Sequence, residues 1–240
     1  MSKYIVYIKC LFLLAIAVFL YGFGSQRNEA RPVKSSLVEF SNGSNLFLSH
    51  EMVNKLLIQK NGEVENQSKS LINLHDLENV VFQNPLVEDV KIFLTIGGVI
   101  KTVVKQRIPM ARVNTDSGVY YIDSQGLKMP LSSNYSARVL LISGSIEDND
   151  LPSIFSLVQR IKLDSFLSKL IVGIHKNSKG EYILQTRKYD QKIQIGKIED
   201  LNVKFKKLEA FYNEVNQNNE AGVYKTINLK FSNQVVCTKN

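Results

Sequence analysis

Apolar and polar positions divide the chain into an apolar N-terminal segment and a longer body of mixed pattern. Residues 4–24 are apolar except at Lys9, and residues 10–24 carry no charged side chain. As a helix, this segment would be about 30 Å long, which matches the hydrocarbon core of a bilayer. We therefore predict a membrane anchor over 4–24, after a short tail at 1–3 and before a polar linker at 25–34.

A cleaved signal sequence is the alternative interpretation of the same segment. Lys3 and Lys9 would form its basic start, residues 10–21 its apolar core, and Gly22 and Gly24 the small residues near a cleavage site. The long apolar run favours the retained anchor. Basic residues flank the segment on both sides, so charge leaves its orientation open. Both interpretations indicate that the body is exported.

The first half of the body, residues 35–113, follows the order strand, helix, helix, strand, strand. Ser49 is a candidate cap for the first helix, because apolar residues recur behind it at helical spacing. Gly97-Gly98 between two β-rich runs predicts a hairpin with a two-residue turn. We expect two helices on one face of a three-stranded sheet. The predicted elements are a strand at 36–40, helices from about 49 and over 73–83, and strands at 87–96 and 99–108.

The second half, residues 114–240, predicts a mixed α/β domain with an extended, mostly antiparallel sheet. The whole body therefore belongs to the α+β class. Apolar and polar residues alternate over 223–237, which predicts one long closing strand. The other predicted elements are helices at about 152–161 and 201–216, and strands at 119–122, 138–142, 170–175, 181–186 and 192–195.

Composition adds a basic charge but no sign of chemistry. The 240 residues carry a net charge of +8. The densest basic cluster, Lys204, Lys206 and Lys207, lies on a predicted helix, where a solvated face is the simplest explanation. Peptidoglycan, lipid headgroups or an acidic partner are the functional alternatives for this cluster. No RNA-binding signature or helix-turn-helix pattern accompanies it, so we predict no nucleic-acid partner.

The residues that usually carry catalysis or metal binding are scattered. His50, His75 and His175 lie far apart, and Cys10 and Cys237 stand near opposite ends of the chain. The sequence contains no nucleophile, zinc-protease or phosphate-loop motif. We therefore predict a protein that is not an enzyme and has no metal, no cofactor and no small-molecule substrate.

Three short segments carry a family resemblance. They are 107–111 (RIPMA), 121–126 (YIDSQG) and 224–231 (YKTINLKF). The first resembles the charged-x-Pro-hydrophobic-Ala segment that closes the POTRA domain of the FtsQ/DivIB family, and the second resembles the V/I-D-x-x-G hairpin of that family. The third resembles its closing hydrophobic-D-L-R-hydrophobic strand, with Asn228 and Lys230 in place of Asp and Arg.

The resemblance implies a bacterial cell-division scaffold. Residues 35–113 would be a POTRA domain and residues 114–240 an FtsQ-type β domain. The family implies a single-pass inner-membrane protein at the division septum, with its N-terminus in the cytoplasm and its body in the periplasm. Its partners would be FtsB-like and FtsL-like proteins, and it would help to position septal peptidoglycan synthesis.

The resemblance also implies where the partner binds. In the family, FtsB adds a strand to the last strand of the β domain, which corresponds here to residues 224–236. A final strand at a sheet edge offers unpaired backbone groups, whereas the alternative is a strand that only closes the fold. Lys230 is the preferred contact, and Phe231 shares its parity with core positions. The predicted partner-binding residues are Tyr224, Thr226, Asn228, Lys230, Phe231, Ser232 and Gln234, and the predicted domain-junction residues are Arg107, Pro109, Asp123 and Gly126.

Two other functions are compatible with parts of this pattern. A POTRA-containing protein of export or outer-membrane assembly is one, although the chain has a single POTRA-like unit and no long barrel-strand tail. A secreted carbohydrate-binding or hydrolytic β protein is the other. The absence of Trp and of a distinct acid pair counts against it.

Overall fold

The computed structural model describes residues 2–29, 31–41, 45–61, 67–116, 118–218 and 220–239. The chain forms two compact units, Met1–Gln106 and Arg107–Asn240. The α+β class predicted from the sequence is confirmed. The division between the units falls earlier than the predicted domain boundary at 113/114, because residues 109–115 form a strand of the second sheet.

The N-terminal segment is one continuous helix, α1 (Ser2–Glu29). Its stretch Tyr7–Asn28 is long and apolar enough to cross a membrane, and none of that stretch is buried inside the protein. The helix continues beyond residue 24 into the predicted linker. The end of that linker packs on the first unit, since Val33 is fully buried and its N–H donates to the carbonyl of Gln67 at 2.8 Å.

The first unit has the predicted order of elements. Among its described residues, three strands form a sheet in the order β1-β3-β2, with β1 parallel and β2 antiparallel to β3. This topology agrees with the predicted β-α-α-β-β pattern, and the POTRA assignment itself stays a prediction. The elements are β1 (Ser35–Phe40), α2 (His50–Asn61), α3 (Leu74–Phe82), β2 (Val87–Leu94) and β3 (Val99–Gln106).

Local side-chain chemistry explains where these elements begin and turn. The Ser49 hydroxyl accepts a hydrogen bond from the Met52 N–H at 3.2 Å, as expected of a helix cap. The β2–β3 hairpin is confirmed, but its connection spans residues 95–98, and only Gly98 has a positive φ (+88°). The hairpin therefore lacks the predicted two-residue turn, in which both glycines would be left-handed.

The second unit is built on a large mixed sheet. In the part of the chain that the structure describes, nine strands form it in the order β12-β11-β10-β9-β8-β7-β4-β5-β6. The pairs β4–β7, β7–β8 and β10–β11 are parallel and the other five are antiparallel, so the sheet is mostly antiparallel as predicted. The strands are β4 (Pro109–Thr115), β5 (Gly118–Asp123), β6 (Lys128–Met129), β7 (Leu140–Gly144), β8 (Ile171–Lys176), β9 (Tyr182–Thr186), β10 (Lys192–Gly196), β11 (Tyr224–Asn228) and β12 (Val236–Lys239).

Among its described residues, the second unit also has three α-helices: α4 (Leu151–Leu163), the single turn α5 (Leu167–Leu170) and α6 (Leu201–Gln217). A parallel pair of strands needs a long crossover, and α4 and α6 lie in the crossovers of β7–β8 and β10–β11. Their apolar stripes enter one common core with the sheet. The buried stripe residues are Ile154, Leu157, Val158 and Ile161 on α4, and Phe205, Leu208, Tyr212 and Val215 on α6.

Candidate partner-binding edge of the second sheet

Strand β11 is an inner strand, not the sheet edge that the sequence predicts. It pairs with β10 on one side and with β12 on the other. The predicted strand over 223–237 is wrong in one respect: strand β11 ends at Asn228, and after a connection the chain turns back to form β12. Asn233 is the sequence signal for this turn: it stands at a position where the alternation calls for an apolar residue, and Ser232-Asn233 are residue types that favour turns.

Strand β12 forms one edge of the sheet, and β6 forms the other. Among the described residues, no strand pairs with the outer side of β12. Val236 is 39% exposed, Cys237 is half-buried, and Thr238 and Lys239 are exposed. Sequence reasoning placed the binding residues before this segment and so did not identify β12.

Strand geometry shows which backbone groups of β12 face outward. The Leu229 N–H donates to the Gln194 carbonyl of β10 at 2.9 Å. Successive residues of a strand direct their backbone groups to opposite neighbours, so residues two apart share a side. The backbone groups of Ile227 therefore also face β10. Cys237 lies opposite Ile227 in the antiparallel register, and it therefore directs its N–H and carbonyl away from β11. Cys237 is the centre of the open edge.

The connection between β11 and β12 is fixed by backbone contacts. Leu229 is fully buried and anchors its start. The Lys207 ammonium donates to the carbonyl of Phe231 at 2.6 Å and to that of Ser232 at 3.3 Å. The Lys204 ammonium donates to the Lys197 carbonyl at 2.9 Å, and burial lowers its pKa. Lys204 and Lys207 of the basic cluster on α6 thus donate hydrogen bonds to backbone carbonyls of the same chain.

The structure separates the predicted binding residues into two groups. Tyr224, Thr226 and Asn228 are half-buried on the inner strand β11. The others are exposed in the connection that follows it, where the chain has left the strand. That second group consists of Lys230, Phe231, Ser232 and Gln234.

Two of these residues differ from their predicted environment. Phe231 was a possible core residue by parity, but its side chain is 47% exposed because the strand has already ended. Lys230 forms an ion pair with Glu181, with 3.1 Å between its Nζ and the carboxylate Oε1. Hydrogen bonding from Lys230 is the main cause that lowers the pKa of Glu181. Lys230 is therefore exposed but already occupied by a partner within the chain.

A buried glutamine holds β11 in place, and sequence reasoning missed it. Gln191 is 1% exposed. Its Nε2 donates to the carbonyls of Ala221 and Tyr224 at 2.6 and 2.8 Å, and its Oε1 accepts from the Tyr212 hydroxyl at 2.5 Å. Burial raises the pKa of Tyr212, so this hydroxyl stays a donor. One side chain thus connects the turn before β10, the helix α6 and the start of β11.

The four predicted junction residues come together at the start of the second unit. Pro109 opens β4 opposite Asp123, where a strand tolerates proline. The Arg107 guanidinium lies 2.6 Å from the Asp123 carboxylate, whose side chain is 1% exposed. The other carboxylate oxygen of Asp123 accepts from the N–H groups of Gln125 and Leu127 at 2.9 and 2.8 Å.

Gly126 completes this turn. Its φ is +81°, and a Cβ at this position would lie about 3.1 Å from the ring of Phe155 on α4. A larger residue would be strained by the backbone and crowded by the ring. The cluster therefore fixes the first residues of the second unit, and its role as a junction between domains stays a prediction.

A charged cluster at the start of α4 combines a lysine, an aspartate and a tyrosine, as some catalytic sites do, but its pKa values are shifted in the opposite direction. The Lys176 ammonium lies 2.6 Å from Asp150, and the Asp150 carboxylate also bonds Tyr182. Burial opposes ionisation of Asp150, yet the bonds from Lys176 and the Glu147 N–H outweigh it and lower its pKa. Burial, followed by the nearby Asp150 charge, raises the pKa of Tyr182 to about 12. Both shifts keep Asp150 ionised and Tyr182 protonated at neutral pH. General acid–base catalysis instead needs a pKa near the working pH.

Comparison with known proteins identifies the second unit. The family described as FtsQ/DivIB, C-terminal related matches residues 108–238, which is more than half of the chain. A search of curated proteins found no match. The matched range begins next to the Arg107–Asp123 cluster and ends within β12. The chain therefore belongs to the FtsQ/DivIB C-terminal related family, and its role lies in cell division.

Proposed function

We propose that this protein is a non-catalytic, single-pass scaffold of the bacterial division machinery that binds FtsB-like and FtsL-like proteins by strand addition at β12. The observation that carries the proposal is the open side of β12, since the described residues provide no neighbour for it. A partner strand would satisfy the outward N–H and carbonyl of Cys237 and give the sheet a further strand. This proposal moves the binding strand from 224–236 to 236–239.

Charge around the edge supports an acidic partner segment. Lys225 and Lys239 are exposed on β11 and β12, and Lys230 lies in the connection between them. Basic residues near an edge discourage self-association and attract carboxylates, so they steer association toward a partner of opposite charge. Backbone bonds would supply much of the affinity, and these lysines would supply specificity.

The cellular arrangement follows from α1 and the family. We propose that α1 crosses the inner membrane with its N-terminus in the cytoplasm, so that the two units lie in the periplasm at the division septum. The length and apolar composition of α1 support the crossing. Membrane fractionation tests it: a soluble mature protein that starts near Ser25 would contradict the anchor.

A proline substitution tests strand addition at the edge. Cys237→Pro removes an outward N–H but no hydrogen bond to β11, so we expect capture of the FtsB-like partner to fall at least tenfold while the unfolding midpoint stays within a few degrees. Cys237→Ala is the matched control, because it changes the same side chain and keeps the N–H. Equal capture by both variants would exclude strand addition at this position.

Depletion tests the cellular role. A fluorescent fusion to the N-terminus should form rings at midcell, and cells depleted of the protein should grow as filaments. Reintroducing the Cys237→Pro variant should fail to restore division, whereas Cys237→Ala should restore it. A diffuse envelope signal combined with normal division after depletion would contradict the proposed function.

A further inference from the structure

Three cationic side chains converge on one cavity of the second unit, away from β12. The cavity has a volume of about 490 Å³ and is lined by Arg138, Lys162 and Arg187 together with Ser168, whose hydroxyl donates to the Ser165 carbonyl at 3.4 Å. Arg138 precedes β7, Lys162 lies in the last turn of α4, and Arg187 follows β9. Residues from three distant parts of the sequence therefore place positive charge around one space.

The cavity has an apolar floor. Leu140, Ile161 and Ile171 line it and are buried in the core of the unit. Charges that face such a surface interact more strongly than charges in bulk water, because the local dielectric is lower. The volume lies within the range of small-ligand sites. The space is larger than a single inorganic anion needs.

The three cations have no partner within the described residues. No hydrogen bond or ion pair there involves the guanidinium of Arg138 or Arg187 or the ammonium of Lys162. None of the described residues that line the cavity carries a carboxylate. The acidic residue nearest to Lys162 in sequence, Asp164, already bonds Arg160 and the N–H groups of Phe166 and Leu167.

Two further observations indicate a preformed site. The Arg187 N–H donates to the Leu170 carbonyl at 2.8 Å, which fixes the backbone of Arg187 beside the start of β8. Burial lowers the pKa of Lys162, which means that its ammonium lacks compensation from a carboxylate. Elsewhere in the unit, Arg107 and Lys176 each have a carboxylate partner.

We infer that this cavity is a binding site for a phosphate-bearing group, either a soluble phosphate ester or diphosphate or the headgroup of an anionic lipid. Phosphate oxygens match the planar fork of arginine, and a diphosphate carries enough negative charge to balance three cations. A single carboxylate would balance only one of them. The apolar floor would accept the remainder of such a ligand.

Binding of inorganic pyrophosphate to the full-length protein in bilayer discs tests the inference. The discs contain phosphatidylcholine alone or with phosphatidylglycerol, and affinity is measured by calorimetry at constant ionic strength. The triple variant Arg138→Gln/Lys162→Gln/Arg187→Gln should bind pyrophosphate at least tenfold more weakly than the parent, because it loses the charged hydrogen bonds to the phosphate oxygens. A weaker apparent affinity of the parent in phosphatidylglycerol discs would identify the lipid headgroup as the competing occupant, and an unchanged affinity would favour a soluble phosphate.

A charge-matched control separates the site from general attraction. Lys179→Gln/Lys192→Gln/Lys206→Gln removes the same net charge from exposed positions of the same unit. We expect this variant to bind pyrophosphate within about twofold of the parent. Equal losses in the two triple variants, or no pyrophosphate binding by the parent in phosphatidylcholine discs, would overturn the inference. Thermal unfolding of each variant checks that the three substituted side chains, which are exposed, are not needed for folding.

Discussion

Strands β11 and β12 are neighbours in one sheet, yet they differ in how many of their backbone groups are paired within the protein. Strand β11 is bonded on both sides and is tied to α6 through Gln191, whereas β12 is bonded on one side only. Ile227 and Cys237 face each other across this pair, one fully buried and one half-buried. The difference teaches that the residues resembling the family motif form the support of the edge, while the free backbone lies a few residues later.

Proline at the two facing positions gives the largest expected contrast. Ile227→Pro removes an inner N–H and a fully buried side chain, so it should lower the free energy of unfolding by about 4 kcal/mol or more. Cys237→Pro should cost less than about 1 kcal/mol, because its N–H faces outward. Urea denaturation of the full-length variants measures both values, and similar losses would show that β12 is held as firmly as β11.

Removing the glutamine that anchors β11 should have the next largest effect. Gln191→Leu keeps the volume but leaves the Tyr212 hydroxyl and two backbone carbonyls without their partner, which should cost about 2 to 3 kcal/mol. Partner binding per folded molecule should persist, since the open side of β12 is unchanged. Gln194→Leu, a half-buried glutamine on β10 with no side-chain bond among those described, serves as the control. An equal loss of unfolding free energy in the two variants would show that Gln191 does not anchor β11.

Alkaline pH should have a smaller effect on stability, through the buried Tyr212 hydroxyl that bonds Gln191. Because the folded state raises the pKa of Tyr212, its contribution to stability is complete below the ordinary tyrosine pKa of about 10 and is lost as pH rises above that value. Unfolding free energies measured between about pH 9 and pH 11 should therefore decline less steeply in Tyr212→Phe than in the parent. Parallel slopes in the two proteins would contradict a buried, hydrogen-bonded hydroxyl.

The exposed ion pair beside the connection should give the smallest change in stability. Lys230→Ala should leave the unfolding midpoint almost unchanged, because solvent screens the pair with Glu181. For partner binding, the charge swap Lys230→Glu/Glu181→Lys is more informative than either single change. If Lys230 acts only through Glu181, the swap should restore the binding that Lys230→Glu loses, and binding that stays lost would assign Lys230 a direct contact with the partner.

Much of the fold could be predicted from periodicity. The helical stripes of α4 and α6 and the β2–β3 hairpin have local signals that are hard to misinterpret, since a core face must repeat with the period of its element. Predictions that depended on longer-range geometry fared less well. Asp200 precedes α6 and is a residue type that commonly caps a helix, but it is left-handed (φ +51°) and makes no capping bond with its side chain.

The candidate edge shows the same limit more sharply. Alternation from Ile227 through Val235 suggested one strand, and only the return of the chain at Ser232–Gln234 placed β12 outside β11. Which strand lies at the edge of a sheet depends on the pairing of all nine described strands. No local property of a strand specifies its position in that order. The junction residues were easier, because a turn with Asp and Gly brings its own partners together.

The sequence by itself determined the apolar helix, the α+β class, the order of elements in the first unit and the family resemblance, because each is written in local periodicity or in short motifs. Only the tertiary structure decided that β11 is enclosed, that Cys237 faces outward, that Gln191 anchors the support, and that Arg138, Lys162 and Arg187 share one cavity. The physical reason is that hydrogen-bond direction, burial and the meeting of distant charges are properties of paired elements. They exist only once strands far apart in sequence have been brought side by side.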